Sequence, residues 1–138
     1  MLNEMKSRFQ SGKKLTTLLF VFVLFLLLVP KAHSQSAVYF CTSTGAYGYA
    51  YGQSTEYDSQ TKAYNTCVNY GGTNPQLVTS TGQKGYGAIA IGKNSDGNRV
   101  IGVALGYSSL SKAKSEATAN CINYGGTGVE VKHTWNDQ

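Results

Sequence analysis

Cys67-Val68-Asn69-Tyr70-Gly71-Gly72-Thr73 and, 54 residues later, Cys121-Ile122-Asn123-Tyr124-Gly125-Gly126-Thr127 are two versions of one phrase. The same offset lays Tyr47-Gly48-Tyr49-Ala50-Tyr51-Gly52 on Ile101-Gly102-Val103-Ala104-Leu105-Gly106. A single spacing that matches at both places identifies a tandem duplication of a unit of about 50 residues. The copies are expected over 37–82 and 85–135.

Each copy has its own local logic. In the second, Tyr86 to Gly92 is a short apolar run, Lys93 to Asn98 is a turn cluster containing Asp-Gly, and Arg99 to Gly106 is a second strand, so the three predict a hairpin. In the first, Val38 to Thr42 and Tyr47 to Gly52 meet through the shorter turn Ser43-Thr44-Gly45-Ala46. A helix follows. Ser109 is a suitable N-cap, and Leu110, Ala113, Ala117 and Cys121 recur at three- and four-residue steps on one narrow apolar face. Tyr-Gly-Gly ends both helices, because glycine readily takes the left-handed conformation found past a helix C-terminus. Gln76 to Ser80 and Val129 to Trp135 close the copies as strands. The reading is an α+β fold: β-β-α-β twice over, antiparallel sheets, one helix packed per repeat.

Alternation along the strands predicts which side is inside. Ile101, Val103 and Leu105 share one face and Gly102, Ala104 and Gly106 the other. The aliphatic face is expected under the helix, and Leu105→Ala is then expected to cost ~2–5 kcal/mol. The small face either admits another element closely or lies open. Tyr47, Tyr49 and Tyr51 take the aliphatic positions in the first copy, so their rings are expected in the core with hydroxyls at the rim. The competing reading is an aromatic platform for sugar or peptide.

Ahead of the repeats lies a different kind of segment. Lys6 to Lys14 is cationic, Leu15 to Val29 is apolar, and Pro30 precedes Ala32-His33-Ser34. This is the three-part pattern of a secretory leader, residues 1–34, with cleavage expected between Ser34 and Gln35 and a single globular domain over 35–138. The apolar run spans roughly 22 Å as a helix, short of the ~30 Å hydrocarbon core, so no membrane span is expected after processing. The leader also explains the net charge of +5: it holds Lys6, Arg8, Lys13, Lys14 and Lys31 against Glu4, while six Lys and one Arg face six carboxylates from Gln35 onward. A nearly neutral domain has no basic stripe for phosphate neutralisation, which argues against a nucleic-acid partner.

Cys41, Cys67 and Cys121 all follow the leader, and export permits disulfides. The three possible pairs close loops worth about 3.5, 4.2 and 4.5 kcal/mol, too similar to choose between them. The plain alternative is that the thiols are buried as small apolar side chains.

Tyr86-Gly87-Ala88-Ile89-Ala90, a turn, Gly102 to Ser108, spaced helical alanines, Cys121, Gly125-Gly126 and the strand Val129-Glu130-Val131 together resemble the bacterial domain of unknown function numbered 4189. The likeness covers most of 37–135. It implies a small exported protein with no established catalytic activity. It also implies a further cysteine just after the Gly-Gly, able to pair with the helix cysteine; this chain has Asn74 and Pro75 there in the first copy and Gly128 in the second.

Several short patterns invite chemistry that their context denies. Gly87 to Lys93 spells the start of a phosphate loop and Gly85 to Ala90 a dinucleotide fingerprint, yet both read as strand followed by a turn, not by a helix. Asn94, Asp96 and Asn98 around Gly97 suggest a calcium loop without its closing Glu; a hairpin turn explains them. His133 stands without an orienting motif, and Glu56, Asp58, Asp96, Glu116, Glu130 and Asp137 are scattered. No catalytic residue, metal or cofactor is therefore expected. The expectation is a periplasmic or secreted non-catalytic binding module whose partner is an envelope or extracellular protein, with the Asn94, Asp96, Gly97, Asn98 loop as contact surface. Two alternatives are an inhibitor or immunity protein against a cell-wall hydrolase or toxin, and a small cell-wall hydrolase.

Overall fold

A computed structural model of the chain describes residues 33–137. The expected leader and its apolar run lie outside the described residues, apart from His33 and Ser34. Ser34 is buried, and Gln35 already pairs with Gln53. Among the described residues no helix is long and apolar enough to cross a membrane.

The first repeat comprises β1 (Gln35–Phe40), β2 (Tyr47–Gln53), α1 (Glu56–Asn69) and β3 (Gln76–Thr81); the second comprises β4 (Gly85–Lys93), β5 (Arg99–Tyr107), α2 (Leu110–Asn123) and β6 (Thr127–Asp137). Each repeat forms a three-stranded antiparallel sheet, in the orders β2-β1-β3 and β5-β4-β6. The registers repeat in detail. Val38 pairs with Tyr49 and Thr79, and Ile89 with Val103 and His133, with a bulge at the same place in both ladders. The duplication expected from the sequence is thus a duplication of structure.

Both helices begin on side-chain caps. Thr55 accepts from the Asp58 amide at 3.0 Å and Ser109 from the Lys112 amide at 3.3 Å. Both end with glycine in the left-handed region, Gly71 at φ 93° and Gly125 at φ 85°. Their inward stripes are all small: Ser59, Ala63 and Cys67 in α1, Ala113, Ala117 and Cys121 in α2. Leu110, expected on that stripe, lies at its exposed end.

The faces of the sheets are the reverse of the sequence expectation. A Cβ on Gly102 would stand 2.0 Å from the Ala117 carbonyl oxygen, and one on Gly48 would stand 2.1 Å from that of Ala63. The helices therefore lie on the glycine and alanine side, where Ala88, Ala90 and Ala104 meet Ala113, Ala117 and Cys121. The physical reason is reach: a helix whose stripe is Ala, Ala, Cys gains burial only if its backbone nearly touches the sheet. The aliphatic side serves a different purpose. Val38 and Phe40 of the first sheet pack against Ile89, Ile101, Val103 and Trp135 of the second. The two sheets thus face one another between two outer helices, and Leu105 sits half-buried at the rim of that layer.

Candidate functional site

Because Gly48 and Ala50 of β2 are committed to α1, the intervening Tyr47, Tyr49 and Tyr51 project toward the second sheet. There β6 presents His133 and Trp135. Tyr49 stacks on the Trp135 indole with centroids 5.3 Å apart and planes at 14°, and Tyr51 does the same at 5.5 Å and 13°. Trp135 can lie flat because its neighbour on β4 is Gly87, where a Cβ would stand 2.2 Å from the ring. His133 is held between two hydroxyls: Nε2 is 2.9 Å from Tyr47 Oη and Nδ1 is 3.2 Å from Tyr49 Oη. Both ring nitrogens are engaged. Of the three tyrosines expected in the core, Tyr47 and Tyr49 are half-buried against it, while Tyr51 is 46% exposed.

Beside this row opens a cleft of about 580 Å³, lined by Tyr47, Tyr49, Thr66, Tyr70, Arg99 and His133 together with Ala46. Its size is ordinary for a ligand site. Arg99 donates from Nη1 to the Gly45 carbonyl at 2.7 Å, and its guanidinium carbon is 6.0 Å from the centroid of Tyr47. That bond uses one of several guanidinium donors, so others remain for a ligand. Burial pushes the Tyr47 and Tyr49 phenols up; at Tyr47 the charges of Arg99 and Lys132 oppose it. The lining contains one cation, three phenols and no carboxylate. It offers stacking surface, hydroxyls and a positive charge.

The pseudo-twofold makes a second cleft in the rotationally equivalent place between β3 and β5, of about 350 Å³, lined among others by Val103, Thr79, Asn120 and Tyr124. Position by position these are the 54-residue counterparts of Tyr49, His133, Thr66 and Tyr70. One scaffold has therefore produced a cleft with stacked aromatics and a cation on one side, and on the other a more polar one lined by Thr79, Ser80, Thr81 and Asn120 beside Tyr107 and Tyr124. Arg99 and His133 were the members hardest to find in the sequence. His133 meets the tyrosines only because β6 faces β2 across the layer between the sheets, and Arg99 only because the start of β5 reaches the turn at Gly45.

The sequence profile described as Domain of unknown function (DUF4189) matches residues 36–136. The chain belongs to this family. No curated protein and no solved structure matches it. The match spans both repeats, so the duplication and its two clefts lie within the DUF4189 domain.

Against the disulfide scheme that DUF4189 implies, all three cysteines here are free and buried. A Cβ on Gly72 would lie 2.8 Å from Cys67 Sγ, and one on Gly126 the same distance from Cys121 Sγ. The helix thiols thus fill the space under the Gly-Gly turns as small core atoms, and burial pushes both up in pKa. Cys41 differs. Hydrogen bonds from the Ser43 and Thr44 hydroxyls, helped by the Asn74 amide, outweigh burial and lower it to about 5. The expected contact loop, Asn94, Asp96, Gly97 and Asn98, is a fixed hairpin turn in which Asn94 Oδ1 accepts from the amides of Asp96 at 3.1 Å and Asn98 at 2.9 Å. It projects from the end of the sheet that carries Arg99. The six scattered carboxylates stay apart from the cleft lining.

Proposed function

We propose that this protein works outside the cytoplasm, in the periplasm or secreted, as a non-catalytic binding module that takes part of a protein partner into the aromatic cleft between β2 and β6. The observation that carries the reading is the contrast between the twin clefts. Packing constrains both alike, yet only one has gathered Tyr49, His133 and Arg99 around an open space. Rigid aromatic rings beside one cation are the side chains that concentrate binding energy. The tripartite leader pattern supports the exported location.

The inhibitor or immunity reading is a special case, favoured by one feature. Arg99 ties the foot of the exposed 94–98 loop to the turn at Gly45, so loop and cleft form one surface. For the hydrolase reading His133 is in a suitable place, but both its nitrogens are engaged by phenols and the lining offers no carboxylate to work with it. Binding is what this chemistry supports.

The test makes the aromatic cleft resemble its twin. The double variant Tyr49→Val, His133→Thr introduces only residues that the same scaffold already carries at Val103 and Thr79. In a pull-down from envelope extract, wild type is expected to recover a partner that the variant loses. Equal recovery by both proteins, or turnover of peptidoglycan fragments by wild type, would overturn the proposal.

A further inference from the structure

The two clefts differ in one more respect, which concerns backbone and not side chains. In the first hairpin the Cys41 amide donates to the Ala46 carbonyl at 2.8 Å and the Cys41 carbonyl accepts from the Gly45 amide at 2.7 Å, so Cys41 is a hydrogen-bonded position facing a Gly45-Ala46 bulge. Bonded and non-bonded pairs alternate along an antiparallel ladder, which puts Gly48 and Ala50 in bonded pairs with β1 and turns the N–H and C=O groups of Tyr47 and Tyr49 outward. Since β2 is an edge strand, those groups face the aromatic cleft. The second repeat shows how such an edge can be closed. There the outward carbonyl of Val103 accepts from Asn120 Nδ2 at 2.8 Å. The counterpart of Asn120 is Thr66, whose hydroxyl instead donates to Lys62 O in its own helix at 2.8 Å, leaving the Tyr49 position of β2 uncovered.

We infer that an acidic, extended segment of the partner protein adds to the free edge of β2 as a fourth strand of the first sheet, placing a carboxylate side chain against Arg99. The inference rests on the binding-module reading and specifies its ligand. Three observations converge on a peptide: outward backbone groups at alternate residues, which only another backbone matches in register; an open space alongside them reaching from α1 to β6; and a lining with a guanidinium and no acid. The second cleft, with its edge carbonyl already occupied, is the internal control.

A phage-displayed random peptide library panned on the purified protein tests this. Enriched peptides are expected to be acidic and to alternate β-branched with other residues. Synthesised without the phage, they should perturb the emission of Trp135, the single tryptophan, and protect the Tyr47 and Tyr49 amides from hydrogen exchange. N-methylation of peptide amides that face β2 should weaken binding about fivefold or more each, and methylation of the alternate amides should not. Arg99→Gln should weaken acidic peptides and leave Gln-for-Glu versions unchanged. The inference is overturned by no enrichment, by indifference to the methylation register, or by protection appearing along β5 instead. Protection of Tyr47 and Tyr49 that rises with protein concentration and needs no peptide would overturn it in favour of edge pairing between two copies. If peptides fail while the Tyr49→Val, His133→Thr variant still loses its extract partner, strand addition falls and the binding module stands.

Discussion

Gly48 and Gly102 decide how near each helix can come to its sheet. Any Cβ at Gly102 would overlap the Ala117 carbonyl, so Gly102→Ala is expected to cost ~1–3 kcal/mol or more, measured by denaturant unfolding. A loss within experimental error would show that α2 does not sit where described. Part of this arrangement is legible in the sequence. The alternation of small with large side chains in β5 was visible, and a close approach by another element was one of its two readings. What decides between them is the alanine stripe of α2, which matches a glycine surface and cannot cover an aliphatic one. The thiols make a second prediction. Cys41, lowered to about 5 in the fold, favours the folded state above its ordinary value of 9.0, and this contribution fades as pH falls toward 5. Cys67 and Cys121 are raised, so their contribution holds below 9.0 and is lost as pH climbs through their folded values. Thiolate absorbance should therefore show one step near pH 5, abolished by Cys41→Ser, with the other two thiols still protonated at neutral pH.

Among the elements, the layer between the sheets is the principal core, not the layer under each helix. Ile89 is fully buried there, and Ile89→Ala is expected to cost ~2–5 kcal/mol. Leu105, half-buried at the rim, should lose less on truncation, contrary to what the strand pattern by itself suggests. Chemical denaturation of both variants distinguishes the two arrangements, since a larger loss at Leu105 would put the aliphatic face back under the helix. Ser109→Ala should remove about 1 kcal/mol through the lost cap, whichever face is buried. The Ser109 cap, the glycine termini, the strand order along the chain and the hairpin turns can be read in the sequence because each is set by residues within a few positions. The facing of two sheets is set by residues more than forty apart, as when Val38 meets Ile89, and no local period encodes it.

In the molecule as one body, the candidate site lies where the two repeats meet. The tyrosines and His133 could each be picked out singly in the sequence, but their meeting depends on β2 of one repeat lying against β6 of the other. The same arrangement makes the halves mutually dependent. The exposed link Gly82-Gln83-Lys84 joins β3 to β4, and proteolytic nicking at Lys84 should leave two fragments that co-elute in gel filtration. Separation of the fragments in native buffer would mean that the shared layer is weaker than described.

That shared layer also bears on how the two grooves came to differ. A solitary half would leave Val38, Phe40 and their neighbours bare, so an unduplicated ancestor would have needed a sibling subunit to cover them. In such a matched pair every mutation arrives in both grooves together. Fusing the genes breaks that coupling: one groove can retain the plugged edge that protects against sticking, while the other is free to acquire a taste for a ligand.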